Sequence, residues 1–259
     1  MSSNKDSIKS TITVALLLCL VCSIVVSGAA VLLKPMQQAN KMLDKKKNVL
    51  LAAGIETQGQ DVDALFGQFT ARVVDLETGL YTDDIDAETY DQRKASKDPE
   101  LSAVLADDED IASINRRAHY ATVYLLETEG QIERIILPVK GYALWSTLYG
   151  FLALEGDANT VAGLGFYEHA ETPGLGGEID NPRWKALWPG KKVFDANGDL
   201  AVELVKGAVD AASPSAIHQV DGLSGATLTA NGVENLLLFW LGEKGFGPYL
   251  NNLRAGGTL

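Results

Sequence analysis

From Ile12 to Leu33 the chain reads ITVALLLCLVCSIVVSGAAVLL, an apolar run without a single charged residue. Its length matches the roughly 20 residues that carry a helix across the hydrocarbon core of a bilayer. A chain with such a segment near its start is either anchored in a membrane or led by a cleaved signal. Signal h-regions are shorter, about 7–15 residues. Here the apolar run also continues beyond the small residues of SGAA through Val31, Leu32 and Leu33, which favours a retained single-pass anchor. Cys19 and Cys22 both lie inside the run, three residues apart on one helical face. Neither follows the small residue that a lipoprotein site requires, and no other cysteine exists to build a zinc site or a disulfide framework. The organisation expected is a short tail over 1–11, a transmembrane helix over 12–33 and a soluble domain over 34–259. The first part of that domain, 34–54, reads as a helical linker that Gly54 stops. Lys5 and Lys9 precede the span, and Lys34, Lys41, Lys45, Lys46 and Lys47 follow it. By the positive-inside bias alone, the C-terminal domain would be cytoplasmic.

The remainder is long enough for a real core: the 259 residues are 46% hydrophobic. The net charge of −12, with no basic stripe, excludes a nucleic-acid partner. Residues from Asp83 to Asp110 are acid-rich without EF-hand spacing and read as a solvated, partly irregular lobe. In AHYATVYLLETEGQIERIILPV two β-rich runs flank TEGQ, a hairpin signal. YALWSTLYGFLAL reads as a further apolar run bounded by Gly141 and Gly150. VAGLGFYEHAETPGLGGEI mixes strand and loop, PRWKALWPGKKVFD a short helix and then a strand, and AVELV is a short strand. ENLLLFWLGEKGFGPYLNNL is a helix interrupted near Gly245–Pro248. Strands outnumber helices and do not alternate strictly with them. This predicts an α+β fold: an N-terminal transmembrane helix and then one mixed, mostly antiparallel sheet flanked by helices. No G-x-G-x-x-G follows a strand, so a Rossmann site is not indicated.

The chemistry concentrates in DGLSGATLTANGV, Asp221 to Val233. A helix starting near Ala226 leaves its first N–H groups unpaired, and these together with the helix dipole favour an anion such as phosphate. Gly225 and Ala226 admit close approach, while Ser224, Thr227 and Thr229 can cap the helix or donate to phosphate oxygens. A hydroxyl there could also be esterified. Both readings, plain Ser/Thr cap and phosphate site, stand on these residues.

Asp221, Gly222, Ser224, Gly225, Ala226 and Thr227 fit D-G-x-[ST]-G-A-T, which resembles the target motif of flavin transferases. A second signature, HAETPGLGGEI, runs from His169 to Ile179. With the anchor and the length, the whole chain resembles the C subunits of the bacterial sodium-translocating NADH:quinone reductases. The G subunit of the related Rnf complex shares both motifs, and GYALWSTLYGFLAL and the length tilt the resemblance to the former. The resemblance implies a membrane-anchored electron-transfer protein of the bacterial inner membrane, with FMN bound covalently as a phosphoester of Thr227. Asp221 and Ser224 would serve recognition and hydrogen bonding. It implies other subunits of a sodium-pumping NADH:ubiquinone reductase and a flavin transferase as partners, besides the lipid bilayer. It also implies a periplasmic domain, against the lysine count. A flavin ring needs stacking walls and a few polar contacts. Trp145 and Leu175 are the candidate walls; Glu171, Thr172, Leu175 and Gly176 are candidate ring contacts. Lys206 is a candidate partner of the phosphate or a ring edge, or else a solvated surface lysine. His169 and His218 lack a Ser–His–Asp pattern and read as packing or loop hydrogen bonds. No catalytic residue, metal ligand or nicotinamide site is expected on this chain. No carboxylate lies in the span to hold an ion. The alternatives are the G subunit of an Rnf-type complex and an anchored binding protein without redox chemistry.

Overall fold

The computed structural model describes residues 8–256. Most of the expected tail, with Lys5, lies outside the described residues. The chain divides after Asp44 into two units. Helix α1, Ile8–Ala52, carries the apolar run. Among the described residues it is the one helix long and apolar enough to cross a membrane. It continues through Pro35 rather than breaking there. A proline forfeits one ladder hydrogen bond, a loss that a helix this long sustains at a single position. The helix ends at Ala52, and Gly54 follows at φ +78°.

The second unit is built on a six-stranded sheet. Its strands are β1 (Phe69–Asp75), β2 (Tyr81–Thr82), β5 (Tyr120–Thr128), β6 (Gln131–Tyr142), β7 (Thr147–Glu155) and β8 (Val161–Glu168). Their order is β2-β1-β5-β6-β7-β8 and every neighbouring pair is antiparallel. Strands β3 (Ser102–Val104) and β4 (Arg116–Ala118) pair separately, and β9 (Glu203–Val205) pairs in parallel with β10 (Gln219–Asp221). Short helix α2 (Val62–Phe66) lies between α1 and β1, and short helices α3 (Gln92–Ala95) and α4 (Pro182–Lys185) sit between strands. Helices α5 (Thr227–Leu241) and α6 (Gly247–Arg254) close the chain. The sheet is covered on both faces, so its central strands read as nearly continuous apolar runs. Alternate residues of β5 show the two sides: Ala121, Val123 and Leu125 join Val233, Leu236 and Leu237 of α5 in one core. Tyr124 instead meets Phe66 and Phe151 edge-on with Lys45 of α1 over its ring, and Val49, Leu50 and Ala52 of that helix are buried.

The TEGQ hairpin forms as expected: Thr128 pairs with Gln131 across Glu129 and Gly130, both at positive φ. Two expectations need correcting. YALWSTLYGFLAL is not one run, because β6 ends at Tyr142 and β7 begins at Thr147. The residues between are a tight connection closed by a hydrogen bond from the Ala143 amide to the Ser146 carbonyl, and they are apolar without being core. The strand expected in KKVFD is reduced to isolated bridges, Thr160 with Lys192 and Phe194 with Leu200. There the chain satisfies its backbone through loop contacts instead of a ladder.

Candidate functional site

Helix α5 begins at Thr227, with Ala226 at the N-cap (φ −132°, ψ 47°) and no side-chain cap. Three hydroxyls stand beside this terminus and none caps it, so the plain Ser/Thr cap is overturned. Ser224 and Thr227 are exposed. Thr229 is 0% exposed, and its hydroxyl donates inward to Glu171 Oε2 at 2.7 Å. The positive end of a long helix is therefore left with bare N–H groups, and the exposed Thr227 hydroxyl is on its first residue. Gly225 precedes it at φ +72°, a left-handed conformation that favours glycine. The Leu175 side chain lies over Gly225, its Cδ2 only 3.2 Å from where a Cβ would sit.

The approach to this terminus is fixed by β10. Asp221 lies in that strand opposite Val205. Its Oδ1 accepts from the Val209 amide at 2.8 Å, and its carbonyl accepts from Trp184 Nε1 at 2.9 Å. The Gly222 amide donates to the carbonyls of Val205 and Gly207 at 2.8 and 3.2 Å. Those two residues flank Lys206, which is exposed next to the motif.

A second layer comes from the loop after β8. Glu171 is 4% exposed. Its Oε1 accepts from the amides of Trp145 and Ser146 at 2.9 and 3.3 Å. The same loop is tied to the same turn by the Ala170 amide, which donates to Ser146 Oγ at 2.7 Å. Upstream, the Glu171 amide donates to His169 Nδ1 at 3.2 Å, which leaves Nε2 to donate to Asp180 Oδ2 at 2.7 Å. The Thr172 carbonyl accepts from the amides of Leu175 and Gly177, bracing the 3₁₀ turn Gly176–Asp180. Gly176 passes so close to Thr229 and Glu171 that a Cβ would lie 2.5 Å from Thr229 Oγ1 and 2.7 Å from Glu171 Oε2. His218 is likewise engaged locally, through Nδ1 with the Lys192 carbonyl at 2.8 Å.

Large apolar groups are left in solvent around this framework: Trp145 is 64% exposed, Leu228 59% and Leu175 45%. The folded chain thus links Trp145, Glu171, Leu175, Gly176, Gly225 and Thr229 by contact, with Ser224, Ala226 and Thr227 contiguous in sequence. Asp221 and Lys206 stand at the entry to the helix, and Thr172 acts through its backbone. Sequence reasoning passed over Leu228 and Ser146. Leu228 carried a usable signal, an apolar residue next to the exposed Thr227 on a helix whose buried face lies elsewhere. Ser146 carried none. Among the described residues no three His, Cys, Asp or Glu side chains converge to hold a metal ion.

An uncapped helix start with small residues at its mouth and exposed apolar side chains around it suits a ligand with an anionic tail and a flat apolar body. Known proteins point the same way. The family model described as FMN-binding domain matches residues 143–242. The C subunit of the Na(+)-translocating NADH-quinone reductase of Pseudomonas aeruginosa is 59% identical over 98% of this chain and 99% of that protein. Its Vibrio alginolyticus counterpart is 50% identical, with 99% of each chain covered. The crystal structure of Shewanella oneidensis NqrC superposes with a TM-score of 0.77 at 38% identity, covering 84% of this chain and 99% of that one. Fold and site together define an FMN-binding domain that follows a long apolar helix. The chain belongs to the NqrC family, the C subunits of the Na(+)-translocating NADH-quinone reductases.

Proposed function

We propose that this chain is the membrane-anchored electron-transfer subunit of a sodium-pumping NADH:ubiquinone reductase, and that it carries FMN as a phosphoester of Thr227. One observation carries the attachment: Thr227 offers an exposed hydroxyl on the first residue of a helix that no side chain caps. The bare N–H groups of α5 would hold the phosphate, with Ser224 as an added donor and Lys206 as a nearby cation. Trp145, Leu175 and Leu228 would flank the ring, and Thr172 and Gly176 belong to the turn beneath it. FMN supplies one- and two-electron redox chemistry when bound, and the protein supplies position, water exclusion and tuning. Asp221 shapes the turn that a flavin transferase would have to recognise. The sequence has no G-x-G-x-x-G following a strand, and in this reading the protein passes electrons between cofactors held elsewhere in the complex rather than oxidising NADH itself.

The test is peptide mass spectrometry of the full chain produced with and without a flavin transferase. An FMN-phosphoryl adduct on Thr227 that depends on the transferase is expected; an adduct on another residue, or none, refutes the reading. The helix α1 fits a single-pass membrane protein. We place the flavin domain on the periplasmic side because the resemblance implies it, although the lysines after the span favour the other side. Protease added to intact spheroplasts should then digest this domain, and full protection would put it in the cytoplasm.

A further inference from the structure

We propose that Glu171 is a positioning residue that fixes the distance between the Trp145 wall and the Thr227 attachment point, a role that rests on the flavin reading above. Trp145 lies in the connection between β6 and β7, and Thr227 opens α5, so their separation is set by how that turn is held on the helix. Two contacts hold it. At its base the packing is direct: a Cβ on Gly232 of α5 would lie 2.7 Å from Ala143 Cα and 3.0 Å from the Tyr142 carbonyl. At its tip the hydrogen-bonded link to the helix runs through one carboxylate, beside the Ala170 amide that ties Ser146 Oγ to the loop carrying Glu171. Glu171 Oε1 receives the Trp145 and Ser146 amides, and Oε2 receives the Thr229 hydroxyl from the first turn of α5.

Every partner of this carboxylate donates, and the group is 4% exposed. Removing Glu171 therefore strands three donors in a dry site, and removing the Thr229 hydroxyl strands a carboxylate oxygen there; either costs more than the bond itself. The fit is close on all sides, since Gly176 leaves no room for a methyl group beside Oε2 and Thr229 Oγ1. A longer or shorter link has no space to relax into. The arrangement also explains why Thr229 turns its hydroxyl inward, away from the helix mouth where Thr227 and Ser224 are exposed. Of the three hydroxyls in the motif region, one is spent on the frame.

The experiment uses the full chain in detergent, matured with a flavin transferase, and compares Thr229→Val, Thr229→Ser and Glu171→Ala with the wild type. Thr229→Val keeps the shape and deletes the donor, and Thr229→Ser restores it. Covalent flavin is first scored by intact mass, which tests the underlying flavin reading separately. Flavin emission, quenched by a stacked tryptophan, is then compared per adduct. Expected is a rise of roughly twofold or more for Thr229→Val and Glu171→Ala and wild-type emission for Thr229→Ser. A second readout needs no flavin. In the unmodified chain, Glu171→Ala should speed hydrogen exchange of the Trp145 and Ser146 amides roughly tenfold or more, the scale of a lost hydrogen bond to a carboxylate. Wild-type emission in Thr229→Val with the adduct in place overturns the proposal, and so does unchanged exchange of both amides in Glu171→Ala.

Discussion

Trp145 and Leu175 are large apolar side chains standing largely in solvent, and an exposed tryptophan on a tight turn stabilises little of the fold by itself. Their value is to whatever lies against them. Trp145→Ala and Leu175→Ala are therefore expected to leave the melting temperature nearly unchanged and the FMN attached. Flavin fluorescence should rise and the reduction potential should move, because stacking and water exclusion are lost. Redox titration and emission spectra of both variants decide this, and unchanged values in both remove these residues from the site. At this scale the sequence was informative where the chemistry is contiguous. Ser224, Gly225, Ala226 and Thr227 form one short segment, and small residues before a helix carry a physical meaning by themselves. It was silent on the pairing of Glu171 with Thr229, which stand 58 residues apart and meet only because β8 and α5 deliver them to the same place.

Among the elements, β6 carries a buried charge outside the flavin site. Lys140 loses solvation by burial, and the nearby Arg93 and Lys97 add like charge against the opposing pull of Asp110, so its pKa falls from 10.5 to about 8. Arg93 is itself held by Glu168 in a two-pronged pair and stacks on Tyr149. The sign follows from proton binding. Below about pH 8 the ammonium is charged in both folded and unfolded chains, and the fold bears the full cost of burying it. Between about 8 and 10.5 the unfolded chain binds more protons, so Lys140 becomes less destabilising as the pH rises. Lys140→Met should raise stability at neutral pH by ~1–3 kcal/mol, and the advantage should shrink across that alkaline window. Denaturant melts of both chains at pH 7 and pH 10 measure it; a constant difference contradicts it. Element types were legible from periodicity: the β5–β6 hairpin, the edge strand β8 and the paired closing helices follow from apolar runs broken by Gly and Pro. The break inside YALWSTLYGFLAL was not legible, because Ala143, Leu144 and Trp145 in the turn are as apolar as the strands beside it.

At the scale of the whole molecule, the anchor and the domain share one helix. The division falls after Asp44, well inside α1, and the last turns of that helix bury Val49, Leu50 and Ala52 in the domain. Composition marks where the membrane run ends but not where the domain core begins, since the second depends on contacts with distant strands. A chain starting at Lys45 should accordingly be soluble and as stable as the full-length domain. One starting at Gly54 should lose several kcal/mol, as a buried Leu and a buried Val contribute about 1.5–3 kcal/mol each. Circular dichroism melts of the two truncations give the comparison, and equal melting temperatures would mean that these turns contribute nothing to the core.

In-gel flavin fluorescence after denaturation in SDS reads the ester at Thr227 without any assumption about the ring pocket. Thr227→Val nearly preserves the side-chain shape and removes the hydroxyl from the first residue of α5. The wild-type chain matured with a flavin transferase should give a fluorescent band. Thr227→Val should give no band while its circular dichroism stays native. Ser224→Ala should give a weaker band and Thr229→Val a retained one. A fluorescent band from the Thr227→Val chain after SDS would mean that another residue carries the flavin.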